Sequence, residues 1–109
     1  MIEHVNDGLY LLNPGDDAQR VARRVYGDVH KSNVLLTANP TNWDELDRVI
    51  VPNKKGRVTR LLAGESPKDT VQRMFPNQLP HLYLLQYSIW NGGNDAWLVE
   101  GDLVYVPER

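Results

Sequence analysis

Residues 15–39 of this chain return 49 positions later as residues 64–88, with apolar and helix-start positions in the same order. Val25 and Tyr26 fall on Met74 and Phe75, and Leu35 and Leu36 fall on Leu84 and Leu85. Towards the end the offset grows to 55, because Val49, Ile50, Val51 and Pro52 fall on Val104, Tyr105, Val106 and Pro107. The difference, a net insertion of six residues, is expected near residues 90–97. Self-similarity with this period points to two supersecondary units, placed here at residues 1–53 and 54–109. A unit of about fifty residues buries too little apolar surface to offset its chain entropy comfortably. The chain has no Cys to staple such a unit. The halves are therefore expected to pack on each other or on partners.

Each copy reads as strand, helix, helix, strand. In the first, the apolar run at residues 9–13 closes at Pro14 and Gly15, which predicts a short strand and a turn. Ala18, Val21, Ala22, Val25 and Tyr26 then fit one face of a helix, with Asp16 or Asp17 as its cap and Gly27 as its stop. In the second copy Ser66 is a good N-cap, Pro67 suits the first helical position, and Asp69 stands where a capping-box acid belongs, predicting a helix over 67–75. A second, Leu-rich helix is predicted near 31–37 and again near 80–87. The closing strands are Val49 to Val51 and Leu103 to Val106, each ended by Pro. The expected fold class is α+β: two tandem βααβ units, each a two-stranded antiparallel sheet under two short helices.

Charge and residue types narrow the chemistry. Formal charge is −2, which excludes a generally basic nucleic-acid binder. Lys54, Lys55, Arg57 and Arg60 make the one basic cluster, read as a solvated linker before a phosphate site. His4, His30 and His81 lie far apart in sequence, so no metal site is expected, and no cofactor motif is present. No nucleophile, base and acid are marked together and no pair of carboxylates stands out, so the chain is not expected to be an enzyme. No segment approaches the ~20 apolar residues that cross a bilayer, and the start has no basic stretch followed by a long apolar run. The expectation is a protein made in the cytoplasm without a signal peptide.

Leu12, Asn13, Pro14, Gly15 and Asp16, then Val21 and Ala22, Tyr26, Gly27 and Asp28, Ala38, Asn39 and Pro40, and the closing Val49 to Pro52 together resemble a LysM domain. The second copy is a more distant match, keeping Gly64 and Glu65, Val71, Phe75 and the run from Gly101 to Pro107, with Ser88 where the family commonly has Asn. The resemblance implies a βααβ fold put to one of two uses. Many LysM modules bind N-acetylglucosamine-containing glycans through the loop after the first strand and the loop before the last. Similar modules in tailed phages and contractile injection particles are structural adaptors, of which the tail protein X group is the nearest. Fold alone does not choose between these uses.

Carried over by position, the family's glycan groove selects Asp16, Asp17, Asn39 and Pro40 of the first copy. Asp16 and Asp17 read first as helix caps and only second as sugar contacts. Trp43, Trp90 and Trp97 all fall ahead of a closing strand, where an indole can fill a small core, anchor a protein interface or stack on a sugar. Asn91 and Asn94 bound a Gly-Gly pair that reads as a loop tip able to carry contacts. The expected role is a virion component, a tail, baseplate or connector adaptor present in several copies of a symmetric assembly, assembled in the host cytoplasm. Peptidoglycan is the rival partner.

Overall fold

The helix-start signals are obeyed closely in the computed structural model, which describes residues 2–93 and 98–109. Strand β1 (Glu3–Val5) is followed by β2 (Gly8–Leu11), α1 (Ala18–Tyr26), α2 (Ser32–Ala38), β3 (Arg48–Val51), β4 (Gly56–Arg60), α3 (Pro67–Met74), α4 (His81–Trp90) and β5 (Leu103–Pro107). Short 3-10 turns at Val29–Lys31 and Trp43–Glu45 precede α2 and β3. The fold is mixed α and β, with four helices and two small antiparallel sheets among the described residues.

Asp17 caps α1 by accepting from the Arg20 amide, and Gly27 ends the helix in the left-handed conformation with φ of 72°. In α3 the Ser66 and Asp69 side chains and backbones form the full capping box, with Pro67 in the first turn. Both caps sit at the original 49-residue offset. The second helices do not: Asn39 follows α2 and Asn91 follows α4, an offset of 52. The six extra residues are thus not one insertion. Three fall between Phe75 and Asn91, the counterparts of Tyr26 and Asn39, where α4 has ten residues against seven in α2, and three more lie between Asn91 and β5. The expected Ser88 mismatch disappears, since Asn91 is the counterpart of Asn39.

Strands β2 and β3 pair with Tyr10 opposite Val49 and Gly8 opposite Val51. Strands β4 and β5 pair with Val58 opposite Tyr105 and Thr59 opposite Val104. The N-terminal β1, which the sequence did not announce, pairs with β4 and not with its neighbour β2, giving the order β1-β4-β5. Chain entry and the second sheet are thereby tied together.

The three-stranded sheet is a partition between two cores. Successive residues of a strand face opposite sides, and β5 divides accordingly. Val104 and Val106 pack with Val71, Met74, Phe75, Tyr83 and Tyr87. Tyr105 instead joins Tyr10, Val21, Ala22, Val25, Leu35, Val49 and Val51. Trp90, at the end of α4, crosses to the same first core, 4.7 Å from Tyr105 and 5.9 Å from Tyr10 between ring centroids. The indole lies so close to β2 that a Cβ on Gly8 would stand 2.6 Å from its Cζ3, so that position admits only glycine. Ile50, the positional counterpart of Tyr105, is 44 % exposed and belongs to neither core cluster of the described residues. The expected mutual packing of the halves is thus achieved asymmetrically.

The basic cluster does not form one patch. Arg57 and Arg60 face opposite sides of β4. The Arg57 guanidinium lies over the Phe75 ring and donates to the Met74 carbonyl, while Arg60 donates to the Gly101 carbonyl and Lys54 sits over Tyr26.

Candidate functional site

Gly15, with φ of 83°, turns the chain between β2 and α1 so that Asp16 and Asp17 stand side by side with different duties. Asp16 accepts the Asn13 amide on one oxygen at 2.9 Å and the Arg24 guanidinium on the other at 3.0 Å. Its side chain is only 2 % exposed, and Arg24 continues to the Tyr10 hydroxyl at 2.9 Å. Burial pushes that hydroxyl's pKa up, the Arg24 hydrogen bond opposing it. The expected role of Asp16 as an acceptor for sugar hydroxyls is corrected on this ground: its oxygens brace strand, turn and helix. Asp17 keeps one oxygen at the surface beyond its cap.

The same brace recurs in the second half. Glu65 accepts the Leu62 amide and a two-point ion pair from Arg73 at 2.7 and 2.8 Å, and Arg73 reaches Thr59 at 2.6 Å. Arg24 and Arg73, Asp16 and Glu65, and Tyr10 and Thr59 all stand 49 apart, so the three pairs follow the repeat offset of the sequence. The Glu65 carboxyl is held down at about 2, from an ordinary value near 4.5, chiefly by the Arg73 hydrogen bond. A carboxyl whose folded pKa is depressed contributes stability above its unfolded pKa and loses it as pH falls through the folded one. Urea midpoints are therefore expected to decline between about pH 4.5 and pH 2, and Glu65→Gln is expected to flatten that part of the profile while lowering the midpoint at pH 7.

Asn39 and Asn91 are also internal. The Asn39 amide donates to the Leu35 and Ile50 carbonyls at 2.9 and 2.8 Å and accepts the Ile50 amide at 2.8 Å. Asn91 does the same between Tyr87 and Tyr105, at 2.7, 2.8 and 3.1 Å. Each ties the end of a helix to the closing strand by pairing backbone groups that would otherwise be buried without partners. Both were expected as contact residues, and both are corrected: they are 8 % and 1 % exposed. Gly92 is buried too, so the expected loop tip does not begin there. Trp90, expected as a possible partner contact, is 2 % exposed and belongs to the seam between the halves. Asn94 and Trp97 lie outside the described residues.

What remains open at the surface is a cleft of about 590 Å³ in the first half. Asp16, Asp17, Ala18 and Gln19 from the start of α1 form one wall, Ser32, Asn33 and Leu36 from α2 another, and Thr41, Trp43 and Asp44 the third. Three of the expected contact residues, Asp16, Asp17 and Trp43, are thus brought together, while exposed Pro40 is not among the lining residues. Trp43 is half-buried and fixed by its Nε1 donating to the Asn39 carbonyl at 3.1 Å. Leu36 is 47 % exposed beside it. An apolar face, a hydroxyl and carboxylates around one opening suit a sugar ring or an apolar side chain of a partner. The second half has no equivalent among the described residues: Leu98, at the position of Trp43, packs against the second core.

No group of three or more His, Asp or Glu is gathered for a metal among the described residues, and no helix there is long and apolar enough to cross a membrane. Compared with protein-family models, with curated proteins and with solved structures, the chain matches none.

Proposed function

We propose that this chain is an adaptor made of two LysM-like βααβ units, residues 1–53 and 54–109, joining protein subunits of a phage tail, baseplate or connector, or of a related injection particle. One observation carries the reading: of the six described polar and aromatic residues at glycan-groove and loop-contact positions, four are used internally. Asp16, Asn39, Trp90 and Asn91 brace turns, clamp closing strands or fill the seam, which makes the halves a single scaffold. The second half offers apolar side chains at its surface instead, with Leu79 60 %, Leu85 69 % and Val99 62 % exposed. Such a body suits burial among several copies of other subunits, where many modest contacts add up. Mass spectrometry of purified particles is expected to recover the chain at fixed stoichiometry.

Binding of N-acetylglucosamine-containing glycan is the second reading, favoured by the Trp43 cleft alone. Trp43 is its reporter, since Trp90 is closed to ligand. Titration with N-acetylglucosamine oligomers is expected to leave the fluorescence unchanged. A saturable change that Trp43→Ala removes, with the chain missing from particles, would overturn the adaptor reading.

A further inference from the structure

Arg57 and Arg109 line one small opening of the second half, about 280 Å³ in volume, together with Asn77 and Gln78. Strand β4 brings Arg57, the α3–α4 connection brings Asn77 and Gln78, and the chain after β5 brings Arg109. The Arg57 guanidinium lies 4.5 Å from the centroid of the Phe75 ring, which itself stacks on Tyr83 at 4.1 Å. Stacking covers a face of the cation and leaves its in-plane N–H donors still to be satisfied. Among the described residues only Nη1 of Arg57 has an acceptor, the Met74 carbonyl, while Nε is buried without one. Arg109 is exposed and donates from Nη1 to the Leu82 carbonyl at 3.2 Å. Neither guanidinium takes part in an ion pair of the described residues. The one acid on the rim, Glu108, has its Oε1 3.4 Å from Nδ1 of His4.

A partly buried guanidinium without a counter-charge is costly, and an arriving anion lowers that cost. We infer that this opening binds a small oxyanion, a carboxylate or a phosphate group, with Arg57 as the fixed fork, Arg109 as the second cation and the Asn77 and Gln78 amides as further donors. Two N–H groups of one guanidinium match two oxygens of one carboxylate or phosphate. The side-chain amides of Asn77 and Gln78 are exposed and have no partner of their own among the described residues. The volume lies below the ~300–1,000 Å³ of pockets that enclose drug-sized ligands, so the bound group is small. The repeat provides no equivalent in the first half, where Gly8 stands 49 residues before Arg57. Asn77 and Gln78 belong to the stretch between Phe75 and Asn91 that is three residues longer than its counterpart. The site goes beyond the adaptor reading and does not rest on it, since anion binding is measured on the isolated chain and particle content separately.

Nitrogen-15 NMR of the purified chain, titrated at constant ionic strength with sodium phosphate and separately with N-acetylglutamate amide, tests the site and tells the two sources apart. Saturable shifts of the Arg57 Nε–H and of the Asn77 and Gln78 side-chain amides are expected, with a Kd of about 1–10 mM for at least one probe. Sodium chloride at matched ionic strength is expected to give none. A response to phosphate alone assigns the site to a free anion, and a response to the glutamate carboxylate assigns it to an acidic side chain of a partner; either upholds the inference. Arg109→Gln alters an exposed position and is expected to weaken binding about three- to tenfold with an unchanged circular dichroism spectrum. Arg57→Lys keeps the charge without the fork and is expected to weaken it about tenfold or more. Asn77→Asp places a second carboxylate on the rim and is expected to abolish binding. No saturable shift with either probe up to about 50 mM, shifts as large at Arg20 and Arg23 as at Arg57, or unchanged affinity in the Arg109→Gln and Asn77→Asp chains would overturn the inference.

Discussion

Trp90→Ala is expected to lower the unfolding free energy by about 3–5 kcal/mol, the range for emptying a fully buried aromatic site. The indole is 2 % exposed and stands between Tyr10 of the first sheet and Tyr105 of the second. Its neighbours are held by two sheets and a helix end, so the space cannot close without moving β2 against β5. Against the 5–15 kcal/mol of an ordinary domain, that loss is a large share of the total. The variant is also expected to uncouple the halves. Amide exchange followed by NMR should show α1 and α3 protected to similar free energies in the original chain and to different ones in the variant. A midpoint within about 1 kcal/mol of the original, typical of a surface substitution, would show that the seam does not depend on this ring.

Asn91→Ala is expected to cost about 3 kcal/mol, because it leaves the Tyr105 amide and carbonyl without partners where water does not reach, the Tyr87 carbonyl keeping only the backbone amide of residue 91. The methyl group cannot replace any of the three bonds at 2.7, 2.8 and 3.1 Å. Asn39→Ala removes an equivalent set of bonds but from a residue 8 % exposed, so water can satisfy part of what is left and a smaller loss is expected. Urea denaturation with unchanged slope checks both. An order reversed between the two variants would mean that burial does not govern the cost.

Much of the fold was legible because its signals are short-range. Ser66, Pro67 and Asp69 specify a helix start whatever surrounds them, since the cap bonds are made within four residues. Gly27 and Gly15 are read in the same way, each being required by a local positive φ. The strand order was only partly legible. β1 is three residues long and half-polar, and its pairing with β4 is decided by an edge more than fifty residues away. The two braces through Arg24 and Arg73 were in the sequence at the 49-residue offset, yet an exposed helix face and a buried ion pair look alike until the turn that carries the acid is folded.

For the candidate site the division is sharper. Asp17 and Trp43 reach the open cleft, as the loop positions imply, but the amides of Asn39 and Asn91, which sequence places in surface loops, are tied to backbone. A short polar residue after a helix serves a loop or a clamp equally well, and only the closing strand's position decides. Repeat offsets of 49, 52 and 55 distinguish the cases, since the middle one aligns the two clamps.

Caps, glycine conformations and apolar periodicity act over a few residues, so helix starts, turns and the repeated pattern are readable from the chain before it folds. Tertiary structure alone decided that Tyr105 and Trp90 serve the first core and Ile50 faces outward. Tyr105 and Ile50 occupy the same place in the repeat, and burial of an apolar face depends on which sheet stacks against it, a long-range contact that no local pattern encodes.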